Sequence, residues 1–410
     1  MLRPGHVVVV CTFALLALGV VMVNSAGMTV EGGAGTTLQG LLLSRSTIYM
    51  ALAVLAMGII AIAAPVHWGS GVGRFEGSSR AGWHMGRLWI GMLILLAMLA
   101  IVYVPGIGDA KKGSHRWIKL ELPGLGDLSA QPSEMAKWGM VLLMAWYAAI
   151  MGGRLARFWT GLAPALAVIG VIAAFVAIED LGTAVLLAGT AVLVLLAGGA
   201  RIWHFLGMVP LALGAFTVAV LAQPYRLTRI TAFLDPYAEP TKAGYHMIQS
   251  MVAVSNGEIF GRGLGHGLQK FGYLPEDTTD FLFAIICEEL GVFGAGLVVV
   301  LYAALLTAGV MIVRRQSAPM LKLIALGVTT TVGLQAIINL AVVTGLGPTK
   351  GIALPLLSSG GTGWILTSAS LGLLVAIDRL SPASEELDAP PPKSPAINPV
   401  DASQLGGASR

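Results

Sequence analysis

Apolar and polar positions along this chain fall into long blocks, not into the alternation of half-buried strands or the narrow stripe of a soluble helix. Ten segments of at least 16 residues contain no Asp, Glu, Lys or Arg: 4–30, 46–73, 88–108, 138–153, 158–178, 181–200, 202–225, 290–313, 323–349 and 351–377. A helix crosses the hydrocarbon of a bilayer with about 20 residues, so each block holds one spanning helix. The shortest, 138–153, reaches that length by extending over Met135 and Ala136 while Lys137 snorkels. The predicted fold class is therefore all-α: a polytopic membrane protein with about ten transmembrane helices and one long extracytoplasmic loop, residues 223–280. The first segment ends near the small residues Ser25 and Ala26, but its apolar run is longer than a cleaved leader needs, and it reads as a retained helix.

Composition agrees with a lipid environment: 56% of residues are hydrophobic and 11% charged, which excludes a water-soluble globule. Cys11 and Cys287 lie in or beside apolar runs and imply packing residues, not a disulfide framework. Residues 1–380 form the membrane domain, and 381–410, which hold Pro382, Pro390, Pro391, Pro392, Pro395 and Pro399 among polar and small residues, read as a disordered cytoplasmic tail. There is no phosphate-binding P-loop, no Gly-rich dinucleotide turn and no Cys/His cluster of metal-binding spacing, so ATP-driven chemistry and a structural metal are not expected. A formal charge of +4 without a basic run excludes nucleic acid as a partner.

Charge position sets the orientation. With both termini inside, Arg74, Arg80, Arg87, Arg154, Arg157, Arg201, Arg314, Arg315, Lys322 and Arg379 all fall on the cytoplasmic side. Two outer loops break this rule, one carrying Arg116 and Lys119 and the other, residues 223–280, carrying Arg226 and Arg229. Such exceptions either offset neighbouring acids or hold an anionic ligand.

The long loop ends in Tyr273-Leu274-Pro275-Glu276-Asp277-Thr278-Thr279-Asp280, which runs into an apolar helix at Phe281. Asp280 is thus placed at an outer helix mouth, where partial desolvation would raise its pKa towards that of a general base. The same position also suits an ordinary N-cap, and spacing alone does not separate the two. Glu288 and Glu289 lie about 12 Å deeper along that helix, as a structural polar network or as part of a site. The glycine- and hydroxyl-rich stretches 344–351 and 357–363 interrupt a membrane region, which suggests either a cavity lining or close helix packing.

These residues resemble the shape, elongation, division and sporulation family, whose members include FtsW, RodA and SpoVE. The pieces that carry the resemblance are Arg116-Trp117-Ile118, Gln131 to Lys137, Asp180 to Ala184, Arg226 to Pro236, Gly257 to Gly265, Tyr273 to Glu276 with Thr279-Asp280-Phe281, Glu288 to Gly291, and Pro348 to Gly361, in the family's order. The wording Pro348-Thr349-Lys350-Gly351 resembles the FtsW branch more than the elongation-type RodA branch. Thr278 stands where the family usually has His, and Ser359 where it usually has Tyr.

The resemblance implies a peptidoglycan glycosyltransferase that joins lipid II units on the outer face of the cytoplasmic membrane during cell division. It would act beside a class B penicillin-binding protein and other divisome or elongasome membrane proteins, with Asp280 as the base. The residues expected to meet substrate are Arg116, Trp117, Lys119, Ser133, Glu134, Lys137, Arg226, Arg229, Glu276, Thr279, Lys350, Ser358, Gly360 and Gly361. No cofactor is legible, a divalent cation at the diphosphate being one option. Rival readings are a lipid II flippase and a non-catalytic scaffold for the transpeptidase.

Overall fold

The structure, a computed structural model, describes residues 3–27, 40, 44–63, 81–104, 108–111, 114–122, 126–349, 351–359 and 361–381, with the side chains of 81–84, 109–116 and 119–129 left aside. The C-terminal tail, Arg74 and Arg80 lie outside the described residues.

Among those residues twelve helices form: α1 (Pro4–Ala26), α2 (Arg45–Ala63), α3 (Ala81–Ala100), α4 (Pro132–Met151), α5 (Ala163–Glu179), α6 (Leu181–Ala197), α7 (Ile202–Leu221), α8 (Pro224–Leu234), α9 (Tyr245–Asn256), α10 (Leu282–Arg315), α11 (Pro319–Val343) and α12 (Thr362–Arg379). Eight of them, α1 to α5, α7, α10 and α11, are long and apolar enough to cross a membrane. The 17-residue α6 and the C-terminal α12 bring the number to the ten that the apolar blocks predict. The tenth block is only part helix, because residues 351–359 run as loop before α12 begins.

Local chemistry starts these helices. Pro stands in the first turn of α1, α4, α8 and α11, where its missing N–H costs nothing. Asp180 caps α6, its carboxylate accepting from Thr183 N at 3.0 Å and from the Thr183 hydroxyl at 2.9 Å.

The bundle packs α2 on α12, α1 on α10 and α12, and α11 on α4, α6 and α10. Small residues allow these approaches: a Cβ on Gly372 of α12 would come within 2.4 Å of the Met57 carbonyl oxygen of α2. Helix α7 is different, with 6% of its apolar span buried against 61% for α11, so it stands at the rim, touching α8 and, through His204, the Phe158 ring.

One element departs from the all-helical expectation. Gly108–Lys111, Ser114–Leu122 and Gly126–Ala130 form a three-stranded antiparallel sheet, β1-β2-β3, with Ile118 opposite Ala130. The period-two run Ile118, Leu120 and Leu122 is the local signal for it.

The loops divide between the two ends of the bundle. At one end Gly5 N donates to the buried Asp378 carboxylate at 3.0 Å, and Arg154, Arg157, Arg201, Arg314, Arg315, Lys322 and Arg379 gather. At the other lie the sheet, α8, α9 and the stretches 257–281 and 344–361.

Candidate active site

Helix α10 breaks at Gly291, whose φ of 62° and ψ of −156° separate a short helix, 282–290, from the long span that follows. The N-cap position before the short helix falls on Phe281, so Asp280 is not the cap and its carboxylate is turned elsewhere. It faces Gly351: a Cβ added there would lie 3.2 Å from Asp280 Oδ2.

The turn that presents Asp280 is tightly held. Glu276 adopts a left-handed φ of 60°, and its carbonyl accepts from the backbone of Thr279 and Phe281, both at 3.2 Å. The Thr279 hydroxyl reaches the Glu276 carboxylate at 3.1 Å. Both residues, expected to meet substrate, also build this turn. Beside them Ser359 N donates to the Thr278 carbonyl at 2.9 Å, so the two positions that depart from the family pattern touch each other.

Two polar side chains of α11 fasten this region. Asn339 Nδ2 donates to the Asp280 carbonyl and to the Ile352 carbonyl, each at 2.8 Å. One turn earlier, Gln335 Nε2 donates to the Ala353 carbonyl at 2.9 Å, and its Oε1 accepts from Lys137 Nζ at 2.7 Å. Lys137 also meets Glu134 Oε2 at 2.7 Å and is 1% exposed. Lys137 therefore does not snorkel to an aqueous interface; its ammonium is enclosed by an acid and an amide, the arrangement a buried cation requires. Glu134 in turn faces α12, with its Oε2 at 3.8 Å from where a Gly363 side chain would start.

Arg229 joins the site from α8. Its guanidinium stacks over the Tyr225 ring at 4.4 Å and donates to the Thr349 carbonyl at 3.1 Å, two residues from Gly351. Arg226 is placed otherwise. It donates to the carbonyls of Ala177 and Ile178 at 2.5 and 3.1 Å and to that of Ala219 at 2.9 Å, tying together the free C-terminal ends of α5 and α7. Ser358 is 1% exposed, its hydroxyl accepting from Leu354 N at 3.0 Å, and Gly361 lies against the Tyr49 ring. Ser133 and Trp117 are half-buried. The side chains of Arg116 and Lys119, on β2, and the residues Lys350 and Gly360 lie outside the described residues.

Glu288 and Glu289 form a structural network. Glu289 is fully buried with Lys270, 2.8 Å away. Its other oxygen accepts from the Ser25 hydroxyl at 2.7 Å and from Gly265 N at 3.0 Å. Glu288 accepts from Leu268 N at 2.9 Å and Gln269 N at 3.2 Å. The carbonyls freed by the Gly291 break are taken by Arg262 N and Gly263 N at 3.0 and 2.9 Å. The stretch 257–270 can wrap this closely because a Cβ at Gly257 would fall 1.8 Å from the Cys287 oxygen. The whole knot fixes the short helix, and with it Asp280.

Asp277, three residues from Asp280, has its carboxyl pushed up to about 6, chiefly by burial. The neighbouring Glu276 charge adds to this, while the Thr278 N–H at 2.7 Å and Lys270 oppose it. No group of three His, Cys, Asp or Glu side chains of metal-holding geometry occurs among the described residues.

Sequence reasoning missed Gln335 and Asn339. The signal was present, since they are amides spaced i, i+4 on an apolar helix, and polar side chains inside a span face protein partners.

Residues 6–382 match the family model described as FTSW_RODA_SPOVE, cell cycle protein. The chain is 35% identical to a probable peptidoglycan glycosyltransferase FtsW of Geobacter sp. (strain M18), covering 90% of this chain and 95% of the relative. It is also 35% identical to stage V sporulation protein E of Bacillus subtilis (strain 168), over 92% and 98%. Among solved structures, a chain of a peptidoglycan synthase complex that coordinates polymerization and crosslinking superposes with a TM-score of 0.66 at 27% identity, over 91% of this chain and 96% of that one. The rod shape determining protein RodA of Thermus thermophilus shares the fold, with a TM-score of 0.57.

Proposed function

The chain belongs to the FTSW_RODA_SPOVE family of cell cycle proteins, and we propose that it is a peptidoglycan glycosyltransferase polymerising lipid II during cell division. The observation that carries this reading is Asp280. Its carboxylate stands over Gly351 at the loop end of the bundle, with the Arg229 guanidinium against the adjoining Thr349 carbonyl.

Asp280 takes the proton of the acceptor sugar hydroxyl as that oxygen attacks the donor's anomeric carbon. The bond from that carbon to the lipid diphosphate breaks on the opposite face, which inverts the configuration, and the electron pair leaves on the diphosphate. Arg229 and Lys350 are the cations assigned to the leaving charge; Arg226 acts by holding α7. The exposed α7 gives the polyprenyl chain a lipid-facing side from which to enter.

The protein is an integral membrane protein. The arginine-rich end is assigned to the cytoplasm with both termini, and the site to the outer face, at the division septum. A class B penicillin-binding transpeptidase is the partner proposed, in keeping with the polymerising and crosslinking complex that the fold resembles.

The test is Asp280→Asn in purified full-length protein given lipid II and the transpeptidase in detergent, where no bilayer exists to flip across. The variant should keep its melting temperature and lose polymer formation. Polymer at the parental rate sinks the assignment, and a parental protein that makes none favours the scaffold or flippase.

A further inference from the structure

Asn339 is nearly buried, at 2% exposure, yet it is not an ordinary packing residue. Both protons of its amide are engaged, one by the Asp280 carbonyl and one by the Ile352 carbonyl. Those two acceptors fix which way the amide points, because turning it over would set Oδ1 against two carbonyl oxygens. Oδ1 is left as a buried acceptor with no hydrogen-bond partner among the described residues.

Asn339 joins the two halves of the site, which otherwise come from segments far apart in sequence. Asp280 ends the long loop, and Ile352 lies beside Gly351, the residue facing the Asp280 carboxylate. Gln335, one turn away on the same face, holds the next residue, Ala353, and is itself held by Lys137. Three successive residues, Gly351, Ile352 and Ala353, are thus set between α11 and Asp280.

We propose that Asn339 is a positioning residue of the transfer reaction: by bridging the Asp280 and Ile352 carbonyls it sets the distance between the base and the 351–353 loop that faces it. The proposal rests on the glycosyltransferase reading above. Asn339 itself touches no reacting atom. Gln335 is the second anchor, through which the buried Lys137 and Glu134 bear on the same loop.

The experiment uses full-length protein with its transpeptidase, assayed for lipid II polymerisation from pH 5.5 to 9, with melting temperatures recorded alongside. Parental protein and Asp280→Asn come first: polymer from the former and none from the latter keep the enzymatic reading. Asn339→Ala should then lower kcat per folded molecule by about a hundredfold, the scale of a 1 Å misplacement, with KM for lipid II within about twofold of parental. Asn339→Asp keeps the shape but sets carboxylate oxygens against the Asp280 and Ile352 carbonyls, so its kcat should fall as far as that of Asn339→Ala.

A parental kcat in both variants overturns the proposal, as does a loss confined to KM. Variants that fail to give folded protein assign Asn339 to stability alone and also overturn it. Failure of the first comparison, with Asp280→Asn as active as the parent, strikes the enzymatic reading instead, so the two failures are distinguishable.

Discussion

Lys270→Met would remove one half of a pair that is fully enclosed, both side chains having no solvent exposure and standing 2.8 Å apart. Glu289 would keep the Ser25 hydroxyl at 2.7 Å and the N–H groups of Gly265 and Gly267 at 3.0 and 3.3 Å, but its charge would have no counter-ion. Removing one partner from such a pair costs about 3–5 kcal/mol, since the remaining charge cannot be hydrated. For a chain of this size that corresponds to a fall in melting temperature of about 5 °C. Neutralising both, with Lys270→Met and Glu289→Gln together, should recover most of the loss, because a neutral pair of similar volume carries no large desolvation penalty. Thermal unfolding of the purified protein in detergent, followed by size-exclusion chromatography of heated samples, measures all three. A single variant melting within about 2 °C of the parent, or a double variant less stable than the single, would refute the claim that this pair holds the knot around the Gly291 break.

Two further outcomes are expected. Gly351→Ala sets a methyl group 3.2 Å from Asp280 Oδ2, displacing the carboxylate by a few tenths of an ångström; kcat for polymerisation should fall about tenfold with an unchanged melting temperature, and an unchanged kcat would mean the carboxylate acts from another position. Asp277 has a folded pKa of about 6 against an ordinary 3.8, so the folded state binds the extra proton between these values. Stability should therefore decline as pH rises through about 6, and Asp277→Asn should flatten that decline and melt higher at pH 7, which a melting series from pH 4 to 8 would show.

The sequence alone determined the fold class, because crossing hydrocarbon demands uninterrupted apolar length and that demand is read directly along the chain. Each of the ten blocks carries one helix, although the last begins with loop. Asp280, Glu134, Lys137 and the described residues of the 348–361 stretch, all within the family motifs, lie at one end of the bundle. The sheet at 108–130 escaped an apolar-block reading, since its period-two run is short and sits among charges.

Only the tertiary structure decided what each polar side chain does. Arg226 and Arg229 are three residues apart on one helix, yet Arg226 closes the ends of α5 and α7 while Arg229 reaches Thr349 beside the base. Glu288 and Glu289, open between network and site, prove to be anchors because stretch 257–270 surrounds them with donors. Asn339 acquires its importance solely from the two carbonyls that α10 and the 351–353 loop bring to it. A hydrophobic span is a property of consecutive residues, whereas a hydrogen bond or buried charge is defined by its partner, and here the partners lie 59 and 13 residues away along the chain.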